Sequence, residues 1–188
     1  MRKGLLAIGG IVTLAVFLRA PLEGTMSAHM LVQLPLLALC GFVAGDALRR
    51  RPPRWLAFAQ TFNAGGATGL LAASLVMIAW MLPRLLDAAR LDPAVDALKV
   101  ATACGAGCAI ALSWPRCPRL WRGVVHLEAI ATLTRFGWGY LATDQRMCAS
   151  YLLQDQQITG RALLVAAAVW ALLALWRPLF GRSALAHV

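Results

Sequence analysis

The sequence predicts an all-α, polytopic membrane protein: about six transmembrane helices in a single domain, 1–188, with both termini cytoplasmic. Three observations carry this expectation. Of the 188 residues, 60% are hydrophobic and only 14% are charged, whereas ordinary soluble domains carry about a quarter charged residues. The apolar residues fall in runs near the length of about 20 that a bilayer core requires, without the period-two alternation of a barrel strand. Lys and Arg collect on alternate loops, as they do in polytopic chains.

The first span is residues 4–18, flanked by Arg2, Lys3 and Arg19, whose stems can snorkel to the interface. A cleaved signal peptide shares that charged start and apolar run. Leu18, Arg19, Ala20 and Pro21 offer no small-x-small cleavage site, so the helix is read as retained. The second span, 25–45, ends in Asp46 and the basic run that includes Arg49, Arg50, Arg51 and Arg54. The third lies within 55–82. Its first half is polar and Gly-rich, from Gln60 to Gly69, and suits either close helix packing or a bent, interfacial start. The fourth, 95–114, stops at Pro115 and Pro118; the fifth is 123–142; the sixth is 161–176.

With the N-terminus inside, the cytoplasmic loops hold the Arg49–Arg54 run, Arg116, Arg119, Arg122, Arg177 and Arg182. The outer loops hold Arg19, Arg84, Arg90, Lys99, Arg146 and Arg161, offset by Glu23, Asp87, Asp92, Asp96, Asp144 and Asp155. Nearly all of the net charge of +10 therefore falls on one face, as the positive-inside rule asks. Topology explains the arginines, so no nucleic-acid partner is expected. The partner that composition implies is the lipid bilayer. Arginine far in excess of lysine, with abundant Ala, Leu and Gly, points to a GC-rich genome and a bacterial inner membrane.

Depth then sorts the polar residues. His29 stands at the outer start of the second helix with Met26, Met30 and Gln33. The loop between the fifth and sixth helices holds Met147, Cys148, Asp155, Gln156 and Gln157. Imidazole, thioether and thiolate together suit copper. The plainer reading is that His29 and the glutamines solvate a helix entrance and the methionines fill gaps in packing. The fifth span carries His126, Glu128 and Arg135. Glu128 and Arg135 are seven apart, hence on one helix face about 10 Å apart along the axis, with Thr132 between them. They suit a proton, quinone-headgroup or haem-propionate contact, or plain interhelical glue. His126 and His29 lie at opposite depths and make a poor axial pair, although haem itself stays open. Of five cysteines, Cys104 and Cys108 share a face beside Gly105 and Gly107, which favours close helix packing over a metal pair. No P-loop, dinucleotide fingerprint or nucleophile elbow is present. An enzyme or transporter using the intramembrane polar stripe is not expected, because its ionisable groups are few.

Two patches together resemble the polytopic CtaG family of cytochrome c oxidase assembly proteins. One is Met26-Ser27-Ala28-His29-Met30 followed by Gln33; the other is Asp155-Gln156-Gln157-Ile158-Thr159-Gly160 leading into the last helix. The sequence departs from the family where Leu34 follows Gln33 in place of a second histidine, and where Arg161-Ala162-Leu163 follows Gly160. The resemblance implies an accessory or assembly factor for a copper-containing respiratory oxidase, presenting copper at the outer membrane face. His29 would anchor the metal, with Met30, Met147 and Cys148 as soft donors and Gln33, Asp155, Gln156 and Gln157 as supporting polar groups. The alternative is a non-catalytic scaffold subunit of a membrane oxidoreductase, docking through Glu128 and Arg135.

Overall fold

A computed structural model describes residues 22–50 and 52–180. Every regular element among them is helical. The helices are α1 (Met26–Arg50), α2 (Arg54–Thr61), α3 (Ala67–Trp80), α4 (Pro83–Leu91), α5 (Pro93–Ser113), α6 (Arg119–Ala142) and α7 (Leu153–Phe180). The span expected at 4–18 lies outside the described residues.

Three of these helices are long and apolar enough to cross a membrane: α1, α5 with its closing turn (Pro93–Arg116), and Leu153–Trp176 of α7. α3 and α4 pass the same test only as a pair, bent by 73° at the break before Pro83. Pro83 opens α4 at its first position, where the missing N–H costs nothing. α6 has the length, about 36 Å for its 24 residues, but His126, Glu128 and Arg135 dilute its apolar character. The third expected span is thus shorter than its sequence window. Residues 62–66 form a turn closed by Gly66 at φ +72°, a conformation that favours glycine. Asn63 fixes that turn, with its Nδ2 donating to Ser113 Oγ at 2.8 Å and its Oδ1 accepting from Gly69 N at 3.0 Å. The middle of the window is therefore a turn, between α2 and α3, bound to the end of α5.

Small residues set the two main helix pairings. α1 and α5 run parallel, and a Cβ on Gly41 would fall on the Cys104 carbonyl, one on Gly107 on the Ala38 carbonyl. Cys104 and Cys108 are thus part of a close crossing, with Gly45 against Cys108. α6 and α7 form an antiparallel hairpin. Gly137 meets Gly160 near one end, and Trp170 Nε1–H donates to His126 Nδ1 at 3.1 Å near the other. The hairpin places α6 alongside the part of α7 that is long and apolar enough to span a membrane, despite the polar residues of α6.

Pro35 shapes the start of α1. Proline has no N–H and its ring clashes with the carbonyl four residues back. The helix relieves this with one wide π turn over His29–Gln33, whose closing bond runs from Leu34 N to His29 O. Such turns occur often at functional sites.

Candidate functional site, a buried lysine cluster where α1 and α5 begin

The π turn aims His29 and Gln33 at the first two turns of α5, where Lys99 is fully buried. Lys99 Nζ lies 2.8 Å from Glu23 Oε1, 2.9 Å from His29 Nε2 and 3.0 Å from Gln33 Oε1. Asp96 Oδ1, one turn back on α5, is an ion-pair partner at 2.9 Å. Gln33 Nε2 donates to Glu23 Oε1 at 3.0 Å. An ammonium only donates, so His29 Nε2 accepts and the ring proton sits on Nδ1. Nδ1 donates to Tyr151 Oη at 2.8 Å, and the Tyr151 hydroxyl in turn donates to the Glu23 carbonyl at 3.2 Å. The Arg90 guanidinium covers the Tyr151 ring at 5.0 Å from its centroid. Burial is the main cause that raises the Tyr151 hydroxyl to about 12, so the phenol stays neutral and able to donate.

Burial alone would raise the Glu23 carboxyl. Hydrogen bonds from Lys99 and Gln33, with the Lys99 charge, overcome it and lower its pKa to about 2 from an ordinary 4.5. A carboxyl with a lowered folded pKa contributes stability above its unfolded pKa and loses it as pH falls toward the folded one. Thermal stability in detergent is therefore expected to decline between about pH 4.5 and 2, and Glu23→Gln to flatten that decline. An unchanged slope in the variant would place the acid sensitivity elsewhere.

The two sequence patches meet here. Ser27 Oγ is 2.9 Å from Thr159 Oγ1, which also donates to the Asp155 carbonyl at 2.7 Å. α7 begins at Leu153, earlier than the expected 161, and takes the Asp155–Gly160 stretch into its first turns. The residue of the α6–α7 loop that reaches His29 is Tyr151. Asp155 and Gln157 are half-buried on α7. Gln156 faces its own hairpin, accepting from Met147 N at 2.9 Å and donating to the Tyr140 carbonyl at 3.3 Å. Asp87 of α4 pins the loop by accepting from Ala149 N at 2.7 Å and Ser150 N at 3.1 Å.

The four expected copper donors are divided. His29 sits in the polar cluster with one ring nitrogen facing an ammonium and the other protonated. Met30 and Cys148 pack in an apolar core with Met26, Met81, Leu86 and Tyr140. Met147 is 41% exposed. Among the described residues no three His, Cys, Asp or Glu side chains are placed to hold a metal ion. A copper site anchored on His29 does not fit this arrangement, since Lys99 Nζ stands where the metal would.

Cys148 is buried and its thiol points at the Pro83 carbonyl at 3.6 Å. Burial, with the nearby Asp87 charge, raises it to about 12 from 9, a loss of roughly a thousandfold in thiolate. Maleimide is expected to label it only after denaturation, whereas a cysteine at the exposed Met147 (Met147→Cys) labels at once. Rapid native labelling of Cys148 would contradict the packed loop.

On α6, Arg135 Nη1 lies 3.4 Å from Glu128 Oε1, and Thr132 Oγ1 donates to the same oxygen at 3.1 Å. The shared face inferred from the spacing thus carries a direct ion pair. Its exposure is a surprise: the side chains of Arg135 and Glu128 are 69% and 44% accessible. Their depth follows from the hairpin, because both residues lie between the Gly137–Gly160 and His126–Trp170 contacts.

Sequence reasoning missed Lys99, Glu23, Asp96 and Tyr151. The signal was Lys99 itself, a lysine inside an apolar run of an arginine-rich chain, with Asp96 one turn before it. No family model, curated protein or solved structure matches the chain.

Proposed function

We propose that this chain is a non-catalytic accessory subunit of a membrane oxidoreductase complex in a bacterial inner membrane, with its basic loops cytoplasmic. The observation that carries the reading is the Glu128–Arg135 pair, exposed at a depth where α7 crosses the bilayer. A charged side chain facing hydrocarbon costs a few kcal/mol or more, and such groups nearly always face protein or water. The pair lies on a stripe with Trp121, Val124, Ala131 and Trp138, at alternating steps of three and four residues. Trp121 and Trp138 are 52% and 69% exposed. That spacing is the seam a neighbouring helix packs along, so a partner helix would complete it. The outer lysine cluster supports the same role, because its charged groups hold α1, α5 and the α6–α7 loop together with their partners inside the chain.

The respiratory character of the complex rests on the likeness of the two outer patches to the CtaG family. The test is purification in a mild detergent, followed by mass determination, a visible spectrum and metal analysis. The expected result is a complex larger than the 20.2 kDa chain, weakened by Arg135→Leu. Strict monomers indifferent to that substitution would overturn the subunit reading. Stoichiometric copper on the isolated chain would favour copper presentation instead.

A further inference from the structure

At the basic end of the α6–α7 hairpin lies a groove of about 500 Å³, lined by Trp114, His126, Ala166, Val169, Trp170 and Leu173. The His126 ring stands edge-on between two indoles, 5.3 Å from Trp114 at 77° and 6.2 Å from Trp170 at 63°. Trp170 Nε1–H donates to His126 Nδ1, which places the proton of the neutral ring on Nε2. The walls are otherwise aliphatic or aromatic, so the groove offers apolar surface and one directed N–H donor.

Its rim is cationic. From Ser113 to Leu127 the chain carries Arg116, Arg119 and Arg122 and no acidic residue. The Arg122 guanidinium lies 5.5 Å from the Trp114 ring and is held there by bonds to the Cys117 and Pro115 carbonyls at 2.9 and 3.4 Å. Arg119 is exposed one turn away. Trp114 lies at the closing turn of the α5 span and Trp170 within the last two turns of the α7 span, the level at which Trp rings gather at membrane interfaces. Basic pockets between helices at that level receive acidic lipid headgroups.

We propose that this groove is a binding site for one acidic phospholipid. An acyl chain lies along Ala166, Val169 and Leu173, an ester carbonyl accepts from His126 Nε2–H, and the phosphate rests against Arg119 and Arg122. The charge separates this occupant from the zwitterionic lipids that coat any membrane protein, because their headgroups bring no net charge to the three guanidiniums.

The test uses the full chain in phosphatidylcholine vesicles containing equal mole fractions of dibrominated phosphatidylglycerol or dibrominated phosphatidylcholine, with tryptophan quenching as the readout. Brominated phosphatidylglycerol is expected to quench more, reflecting a local enrichment of roughly fivefold or more. The excess should vanish in the Arg119→Gln/Arg122→Gln double variant and in Trp114→Phe/Trp170→Phe. His126→Phe keeps the bulk of the ring, removes the donor and should reduce the excess, which keeps the proposal testable if the arginine variant fails to insert. Helical circular dichroism serves as the fold control. Equal quenching by the two brominated lipids, or an excess that survives all three variants, would overturn the proposal.

Discussion

Replacing Lys99 by methionine is expected to destabilise the protein by about 3–5 kcal/mol, the usual cost of removing one partner from a buried ion pair. Methionine matches the length of the lysine stem but removes the cation that faces Glu23 and Asp96 at 2.8 and 2.9 Å. It also takes away the donor that His29 Nε2 and Gln33 Oε1 accept from. Two carboxylates then share a pocket without their cation, and at least one must take up a proton or reach water. Glu23→Gln added to Lys99→Met removes one of those charges and should restore part of the loss. The coupling appears as a non-additive double-mutant cycle, measured by reversible unfolding in mixed micelles. A Lys99→Met loss below about 1 kcal/mol, within the range of an exposed pair, would show that the cluster does not hold the N-terminal ends of α1 and α5 together.

The second large effect is steric. Gly107→Leu is expected to cost about 3 kcal/mol, the upper part of the range for overpacking. The added Cβ falls on the Ala38 carbonyl, and backbone on a neighbouring helix cannot swing aside as a side chain can. α1 and α5 would have to separate, and Lys99 would be drawn away from His29 and Gln33 along the same interface. Gly105, two residues earlier, is the control, because a Cβ there meets nothing within 4 Å. Gly105→Ala should be neutral or stabilising by up to about 1 kcal/mol through helix propensity. Equal losses at both positions, by the same micelle unfolding, would mean that the crossing is looser than its glycines suggest.

The helical class was legible because apolar run length and loop charge are local properties of a sequence. The small-residue crossing was legible too, since Cys104, Gly105, Gly107 and Cys108 crowd one short stretch. The lysine cluster was not, because its members come from four separate segments. Glu23, Asp96 and Lys99 all sit near the N-terminal ends of helices, where charge normally balances topology. Only the parallel packing of α1 on α5 turns those loop charges into one buried group. His29 drew notice as a soft-metal donor, and its partner turned out to be an ammonium. Spacing gave the shared face of Glu128 and Arg135. Their exposure could not be read, since it depends on which side of α6 meets α7.

A partner helix is expected to cover the α6 stripe. The most direct measurement is site-specific photo-crosslinking in native membranes, with the reactive residue at Ala131, between Glu128 and Arg135, and a control at Val165, which is 62% exposed on α7. One discrete protein adduct is expected at Ala131, lost in Arg135→Leu, and only lipid adducts at Val165. Lipid adducts alone at Ala131 would contradict it, because the ion pair would then face the bilayer uncovered.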